Sequence, residues 1–233
     1  MRVALASMRV EPGDIAGNWA RFKRYALLAA RRGADLVLFP EYCLTGFRGW
    51  WFGGAAPHWE FLELVGRLAR VLGLYVAFGL LEPPEVGAAP PCPAYNSAVL
   101  VSPEGGVVLK HRKWEEPILF CRGSEVGVAN TPFGRVALII CGDLFNEEVR
   151  ERVRGLSVDY LLVPMDRSGT PGIDYDLAEE VEAMGEAVSE CGVREHAYVV
   201  NTHAHEGSYG FAIEFSRSGK VVRMLTGEGL LLC

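Results

Sequence analysis

The chain has 233 residues, of which 50% are hydrophobic and 22% are charged, and its formal net charge at pH 7 is −6. These proportions exclude a disordered chain, and the scattered arginines give no basic surface for nucleic acid or an anionic membrane. The length suits one sizeable core, so we expect a single domain over residues 1–233 whose partner is a small molecule.

Neither the N-terminus nor the cysteines indicate secretion. Residues 1–10 lack the apolar h-region of a signal peptide, and no stretch reaches the roughly 18 unbroken apolar residues of a membrane-spanning helix. Six cysteines are widely spaced without a C-x-x-C pair, which disfavours a zinc or redox motif. We therefore expect reduced thiols, a cytoplasmic protein, and no metal or cofactor.

Strands and helices alternate along the first part of the chain. Apolar runs between turn residues indicate strands, and apolar residues at helical spacing indicate helices. In chain order these are a strand at residues 2–10, a helix between Asp14 and Gly33, a strand at residues 36–39, a helix at residues 61–72 and a strand at residues 75–81. After Pro40 the second strand delivers Glu41, and the aromatic loop at residues 42–54 is either a pocket wall beside it or a subunit contact.

A hairpin follows a proline-rich connection at residues 83–93. Its strands, at residues 95–102 and 107–113, are separated by Pro103-Glu104-Gly105-Gly106, which is a strong turn signal. The second strand of the hairpin delivers Lys113. Residues 114–130 are predicted to be irregular.

The next predicted strand, residues 136–140, ends at Cys141, Gly142 and Asp143. A lone cysteine in such a place is more often a buried, inert residue than a nucleophile. Further elements are helices at residues 146–155 and 173–191 and strands at residues 160–164, 198–203, 209–215, 221–225 and 229–232. The alternation of strands and helices, followed by hairpins, predicts an α/β fold with mixed sheets.

Three reactive side chains therefore follow three separate strands. Glu41 can act as a base, Lys113 as a cation and Cys141 as a thiol nucleophile. Scattered core residues would not be expected to supply this set, so we expect the three to converge at one sheet edge.

Three motifs around these residues resemble the catalytic signatures of the nitrilase superfamily, the carbon–nitrogen hydrolases, in the same chain order. The motifs are Phe39-Pro40-Glu41, Lys110-His111-Arg112-Lys113 and the run from Ile140 to Glu147. The resemblance extends to Arg150, Arg194-Glu195-His196 and Asn201. It implies a four-layer αββα sandwich, a homodimer or larger oligomer, and hydrolysis of an amide or carbamoyl C–N bond, less often a nitrile.

The residue types suit this chemistry. Cys141 would form a thioester, Glu41 would serve as general base and then acid, and Lys113 with the Gly142 N–H would stabilise the oxyanion. The family has a second glutamate, for which Glu115, Glu116 and Glu125 compete, and the following Phe120-Cys121-Arg122-Gly123 pattern favours Glu116.

Other residues of the site are assigned more loosely. Four residues beside the catalytic motifs are expected to bind the substrate: Gly142, Trp114, Phe47 and Met165. Asp143 and Glu147 are expected to be structural, through pairing with Arg150 or capping of the following helix.

Rival functions remain open at this stage. His203 and His205 alternate at a strand end, as a metal-dependent hydrolase would require. A non-catalytic binding or scaffold protein of the same fold is the second rival, and an acyltransferase differs only in what accepts the acyl group.

Overall fold

Two mixed six-stranded sheets form the framework of the protein. The computed structural model describes residues 1–47, 58–83, 94–114, 120–167, 176–203 and 210–233. Residues 48–54 of the aromatic loop lie outside these ranges, and so do Glu115, Glu116 and His205.

The first sheet has the strand order β12-β1-β2-β3-β4-β5. Its strands are β1 (Val3–Ser7), β2 (Leu36–Leu38), β3 (Tyr75–Glu82), β4 (Tyr95–Val101), β5 (Val107–Arg112) and β12 (Gly229–Leu232). β1, β2 and β3 are parallel, because helices α1 (Ile15–Arg31) and α2 (His58–Leu72) carry the chain back between them. The remaining three strands pair antiparallel with their neighbours.

The second sheet has the strand order β11-β10-β9-β8-β7-β6. Its strands are β6 (Val128–Thr131), β7 (Gly134–Leu138), β8 (Tyr160–Met165), β9 (His196–Asn201), β10 (Phe211–Ser216) and β11 (Val221–Thr226). The helices α3 (Glu147–Leu156) and α4 (Leu177–Cys191) connect its parallel strands β7, β8 and β9.

The two sheets repeat one connectivity, which the sequence analysis did not detect. In each sheet two helical crossovers link three parallel strands, and two antiparallel strands follow. The edge strand β12 pairs with β1 as β6 pairs with β7. Consequently β2 and β8 occupy equivalent places, and so do the residues that follow them, Glu41 and Asp166.

The sheets bury one face against each other and one face against helices. In β1, Val3 and Leu5 belong to the core shared with the second sheet, whereas Ala4 and Ala6 belong to the core under α1 and α2. The buried residues of α3 and α4 pack on the second sheet. These four layers confirm the predicted αββα sandwich.

Several sequence-based boundaries differ from the structure. β7 ends at Leu138, before the predicted end of its strand, and Cys141 begins a 3₁₀ turn, Cys141–Phe145. The strand β6 begins within the segment predicted to be irregular. Asp14 caps α1 as expected, because its side chain accepts the Gly17 N–H at 3.0 Å.

One expectation about the cysteines is wrong. Cys121 is disulfide-bonded and is therefore not a reduced thiol. Four cysteines are free thiols: Cys43, Cys141, Cys191 and Cys233. No helix within the described ranges is long and apolar enough to cross a bilayer.

Candidate active site

The fold brings Glu41, Lys113 and Cys141 together beyond the ends of β2, β5 and β7. The Nζ of Lys113 lies 3.0 Å from Oε1 of Glu41. Both charges act on the Cys141 thiol, because Glu41 raises its pKa and Lys113 lowers it. All three residues are buried, with 1%, 9% and 8% of their surfaces exposed, respectively.

The Glu41 carboxylate is held by donors from three other segments. Its Oε1 accepts hydrogen bonds from Asn96 Nδ2 at 2.6 Å and from Lys113, and its Oε2 accepts the backbone N–H of Asp166 at 2.9 Å. The Glu41 backbone packs closely on Gly79 of β3, where an added Cβ would lie 2.7 Å from the Glu41 Cα. The carboxylate is therefore fixed before any substrate arrives.

The backbone at Lys113 is fixed in the same way. Its N–H donates to the Asn96 carbonyl at 2.8 Å, and its carbonyl accepts the Gly123 N–H at 2.8 Å. A Cβ at Gly123 would lie 2.0 Å from the Arg112 carbonyl oxygen, so only glycine permits this approach. Asn96 thus positions both Glu41 and Lys113.

Cys141 adopts a backbone conformation that is rare for a residue with a side chain. Its φ is +46°, directly after the extended Ile140, and it is the first residue of the 3₁₀ turn. Such left-handed conformations in non-glycine residues are concentrated at functional sites. The chain therefore changes direction at Cys141, just beyond the end of β7.

The environment keeps the Cys141 thiol protonated at neutral pH. Burial, and then the negative charge of Glu41, raise its pKa to about 12, although Lys113, Arg167 and the Asp166 backbone N–H act in the opposite direction. A thiol with this pKa needs a base to become a nucleophile.

A buried aspartate ties the cysteine segment to the lysine segment. Asp143 accepts the backbone N–H of Ile140 at 3.1 Å and of Trp114 at 2.9 Å, which are the neighbours of Cys141 and Lys113. The Nε2 of His111 lies 2.7 Å from the same carboxylate, and both side chains are fully buried. This contact fixes the spacing between thiol and ammonium.

The predicted Arg150 partner of Asp143 is wrong. Arg150 pairs with Glu190 at 2.7 Å and donates to the Leu144 carbonyl at 3.2 Å, on the outer side of the turn. The cap of α3 is Asn146, which accepts the Val149 N–H, while Glu147 lies in the first turn. Asp143 is structural as expected, but its partners were not foreseen.

Asp166 is an ionisable group of this site that the sequence analysis missed. It follows β8, its carboxyl is hydrogen-bonded to the Thr202 side chain, and the charges of Glu41 and Lys113 both act on it. Burial, and then Glu41, raise the pKa of Asp166 to about 7. The sequence signal for Asp166 was its place after β8, which is equivalent to the place of Glu41 after β2. This equivalence becomes visible only when the repeated connectivity of the two sheets is known.

The residues predicted to bind substrate lie in different settings. Gly142 is partly exposed in the 3₁₀ turn, and Phe47 is 39% exposed beside the rings of Tyr42 and Phe120. Met165 is fully buried, and its carbonyl accepts the Glu41 and Thr202 N–H groups. Their contributions to substrate binding stay predictions.

Trp114 has a side chain packed between two arginines. The guanidinium carbons of Arg122 and Arg152 lie 5.5 and 4.5 Å from the Trp114 ring centroid. The ring is 5% exposed. Its role in substrate binding also stays a prediction.

The second glutamate and the alternative metal site are only partly described. Glu125 is exposed, whereas Glu115 and Glu116 lie outside the described residues. His203 is partly buried at the end of β9, and His205 lies outside the described residues. Within the described ranges, no three His, Cys, Asp or Glu side chains are grouped to hold a metal ion.

Comparison with known proteins agrees with the fold and the motifs. The model of the family described as carbon-nitrogen hydrolase matches residues 2–203. The omega-amidase NIT2-A of Xenopus laevis is 24% identical over 176 residues, which cover 69% of this chain and 62% of that protein. A formamidase of Bacillus cereus is 31% identical over 136 residues, which cover 51% of this chain and 38% of the formamidase. The chain therefore spans less than two-thirds of the length of these relatives.

Solved structures show the same architecture. An amidase from Nesterenkonia sp. AN1 superposes with a TM-score of 0.85 at 20% identity, covering all of this chain and 89% of that one. That structure has the acetamide moiety of fluoroacetamide added covalently at the active-site cysteine. Another structure of the amidase, with a TM-score of 0.86, 20% identity and the same coverage, contains butyramide. Together with the family match over residues 2–203, these similarities show that the chain belongs to the carbon–nitrogen hydrolase family.

Proposed function

We propose that the protein is a thiol-dependent hydrolase that cleaves an amide or carbamoyl C–N bond of a small molecule. The observation that supports this most strongly is the buried contact of Glu41 with Lys113 beside the Cys141 thiol. The amidase similarities support the same class of reaction. We expect the protein to be cytoplasmic and at least dimeric, as other members of the family imply.

The first half of the reaction makes a thioester. The Cys141 sulfur attacks the carbonyl carbon while its proton passes to Glu41, and the carbonyl oxygen becomes an oxyanion. Lys113 and the Gly142 N–H stabilise that oxyanion, and removal of one such donor typically costs about 3 kcal/mol of barrier. Collapse of the intermediate breaks the C–N bond, and the departing ammonia or amine takes the proton from Glu41.

The second half releases the acid. Glu41 takes a proton from water, the water oxygen attacks the thioester carbonyl, and the C–S bond breaks. The sulfur then recovers a proton. The second glutamate, for which Glu116 is the candidate, would orient Lys113, and Trp114, Phe47 and Met165 would shape the pocket.

A panel of short amides, carbamoyl compounds and nitriles tests this proposal by ammonia release. We expect C141A to lower turnover by at least roughly a thousandfold, as for other lost nucleophiles. The matched control is C191A, which removes another buried free thiol outside the site. Acid-quenched wild type should carry an acyl adduct on Cys141 by intact mass.

Two results would contradict the proposal. Full activity of C141A would exclude the thiol mechanism. Loss of wild-type activity in chelator, without an acyl adduct, would favour the metal-dependent alternative at His203 and His205. If no compound in the panel releases ammonia or acylates Cys141, the non-catalytic alternative gains support.

A further inference from the structure

The mechanism leaves one carboxyl group beside the nucleophile without a role. Asp166 directly follows β8, and its backbone N–H donates to Glu41 Oε2 at 2.9 Å and also acts on the Cys141 thiol. The backbone therefore anchors this residue next to the reacting atoms. The side-chain carboxyl of Asp166 takes no part in these two contacts, which the backbone N–H makes.

The carboxyl of Asp166 has acceptor capacity that its protein contacts do not fill. Among the described residues, Thr202 is its hydrogen-bond partner. The Thr202 hydroxyl has one proton and also lies 3.3 Å from the Met165 carbonyl and 3.4 Å from the Glu41 carbonyl. An ionised carboxylate offers about four acceptor positions, so donors from a ligand can be accommodated. Asp166 is also partly exposed, whereas Glu41 and Thr202 are buried.

Among the described residues around the thiol, two cations face three carboxyl groups. Lys113 pairs with Glu41, and Arg167 pairs with Glu180 of α4. Asp166 is the additional carboxyl in this set, so the described part of the site has an excess of one negative charge when all five groups are ionised. Burial is the main cause that raises the pKa of Asp166 to about 7, and the negative charge of Glu41 adds to it, despite the opposing effects of Thr202 and Lys113. A cation is the complementary ligand.

We propose that Asp166 binds a cationic group of the substrate, so that the substrate is a small amide or carbamoyl compound that also carries an ammonium group. This inference rests on the proposed function and narrows it to a class of substrates. An anionic substrate group is the less favoured occupant, because the carboxylate of Glu180 already contacts Arg167.

Three amides of matched shape test the charge preference at pH 7. They are pentanamide, 4-aminobutanamide, which replaces the terminal methyl by an ammonium, and the monoamide of glutaric acid, which ends in a carboxylate. We expect kcat/KM for the ammonium compound to exceed that for pentanamide by roughly tenfold to a hundredfold, the range for one hydrogen bond to a charged group. The carboxylate compound should be the poorest substrate.

The isosteric variant D166N assigns the preference to this residue. We expect the ratio of kcat/KM between the ammonium and neutral compounds to fall to about one. The matched control is D176N, which removes the same charge from the exposed N-cap of α4 and should keep the wild-type ratio.

A binding experiment gives a readout that does not depend on turnover. In the C141A background, calorimetry of 4-aminobutanamide binding at pH values from 5 to 8, in two buffers of different ionisation enthalpy at each pH, counts released protons. Because the ligand cation favours ionised Asp166, binding should release protons within this range. Pentanamide should release none. This measurement needs no Asp166 variant, so misfolding of D166N would not prevent the test.

The outcomes separate this inference from the proposed function. Three results would overturn the inference. They are a preference for the neutral or anionic compound, an equal loss of activity on all three compounds in D166N, and binding of the cation without proton release at every pH from 5 to 8. Cys141-dependent hydrolysis of pentanamide would leave the proposed function standing in each of those cases. Absence of any hydrolysis, with cation binding and proton release still seen in C141A, would overturn the proposed function and with it the substrate class, and would leave only the cation-binding role of Asp166.

Discussion

The geometry of the site depends on buried polar residues that do not react. Asn96 holds Glu41 through its side chain and Lys113 through its backbone, and Asp143 joins the backbones next to Lys113 and Cys141. Because these groups are buried, each lost partner leaves a polar atom without compensation. We therefore expect substitutions of Asn96 or Asp143 to lower the rate of catalysis as well as the free energy of unfolding.

Asp143 provides a direct test of this dependence. We expect D143N to lower kcat by roughly tenfold to a hundredfold with little change in KM, because the spacing of Cys141 and Lys113 is relaxed while the substrate pocket remains. The free energy of unfolding should fall by about 1–3 kcal/mol. The control D35N changes a partly exposed carboxylate that accepts the Arg2 N–H. A kcat for D143N within twofold of wild type would show that Asp143 does not position the thiol.

The side chains of the candidate site follow strand ends, and close backbone contacts set their positions. Gly79 is the clearest case, because the central strand β3 approaches the backbone of Glu41 more closely than a Cβ allows. Glycine inside a strand of large apolar residues often marks such an approach. Gly79 was therefore a signal in the sequence for the position of Glu41.

The substitution G79A should disturb the site more than the sheet. An added Cβ would lie 2.7 Å from the Glu41 Cα and 2.9 Å from the Tyr42 nitrogen, so the turn that carries Glu41 must move. We expect kcat/KM to fall at least about tenfold and the free energy of unfolding to fall by about 1–3 kcal/mol. G106A is the control, because nothing lies within 4 Å of its Cβ position. Equal kinetics of G79A and G106A would refute the argument.

Motifs at strand ends could be predicted from the sequence, and contacts between distant segments could not. Apolar runs ending in Glu41, Lys113 and Cys141 indicated where chemistry would be placed. Asn96 and Asp166 were missed because neither lies in a recognised motif, and their roles arise from two strands meeting in space. Arg150, one of the two alternatives for Asp143, was wrong for the same reason: Arg150 is near in sequence, whereas His111 is near in the fold.

For the whole molecule, the free energy of unfolding should depend on pH through a partly buried ion network on β3, β4 and β5 of the first sheet. Glu82 of β3 accepts Lys110 Nζ at 2.8 Å, Arg112 Nη2 at 2.6 Å and Ser97 Oγ at 2.9 Å, which joins three adjacent strands. Burial opposes ionisation of Glu82, but hydrogen bonds from Arg112, Lys110 and Ser97 outweigh it and lower the pKa to about 2. The folded state thus holds this carboxylate ionised more strongly than the unfolded chain does.

The variant E82Q tests this contribution by urea unfolding across pH. A lowered folded-state pKa stabilises the protein above the ordinary value of 4.5, and this stabilisation is lost as pH falls towards about 2. We expect E82Q to lower the free energy of unfolding by about 1–3 kcal/mol at pH 7, with the difference from wild type shrinking between pH 4.5 and 2. E63Q, in an exposed pair with Arg67, should change it by less than about 0.5 kcal/mol. A constant difference at all pH values would contradict the assignment.

The duplicated connectivity has a consequence for how the site could be switched off. Glu41 and Lys113 come from the first sheet, and Cys141 and Asp166 come from the second, so the seam between the two halves runs through the reacting centre. A shear of a few ångströms along that seam would separate Cys141, the proposed nucleophile, from Glu41, the proposed base, while every strand kept its neighbours. The proposed activity therefore requires the two sheets to pack in the correct relative position. Correct folding of either half alone would not assemble the site.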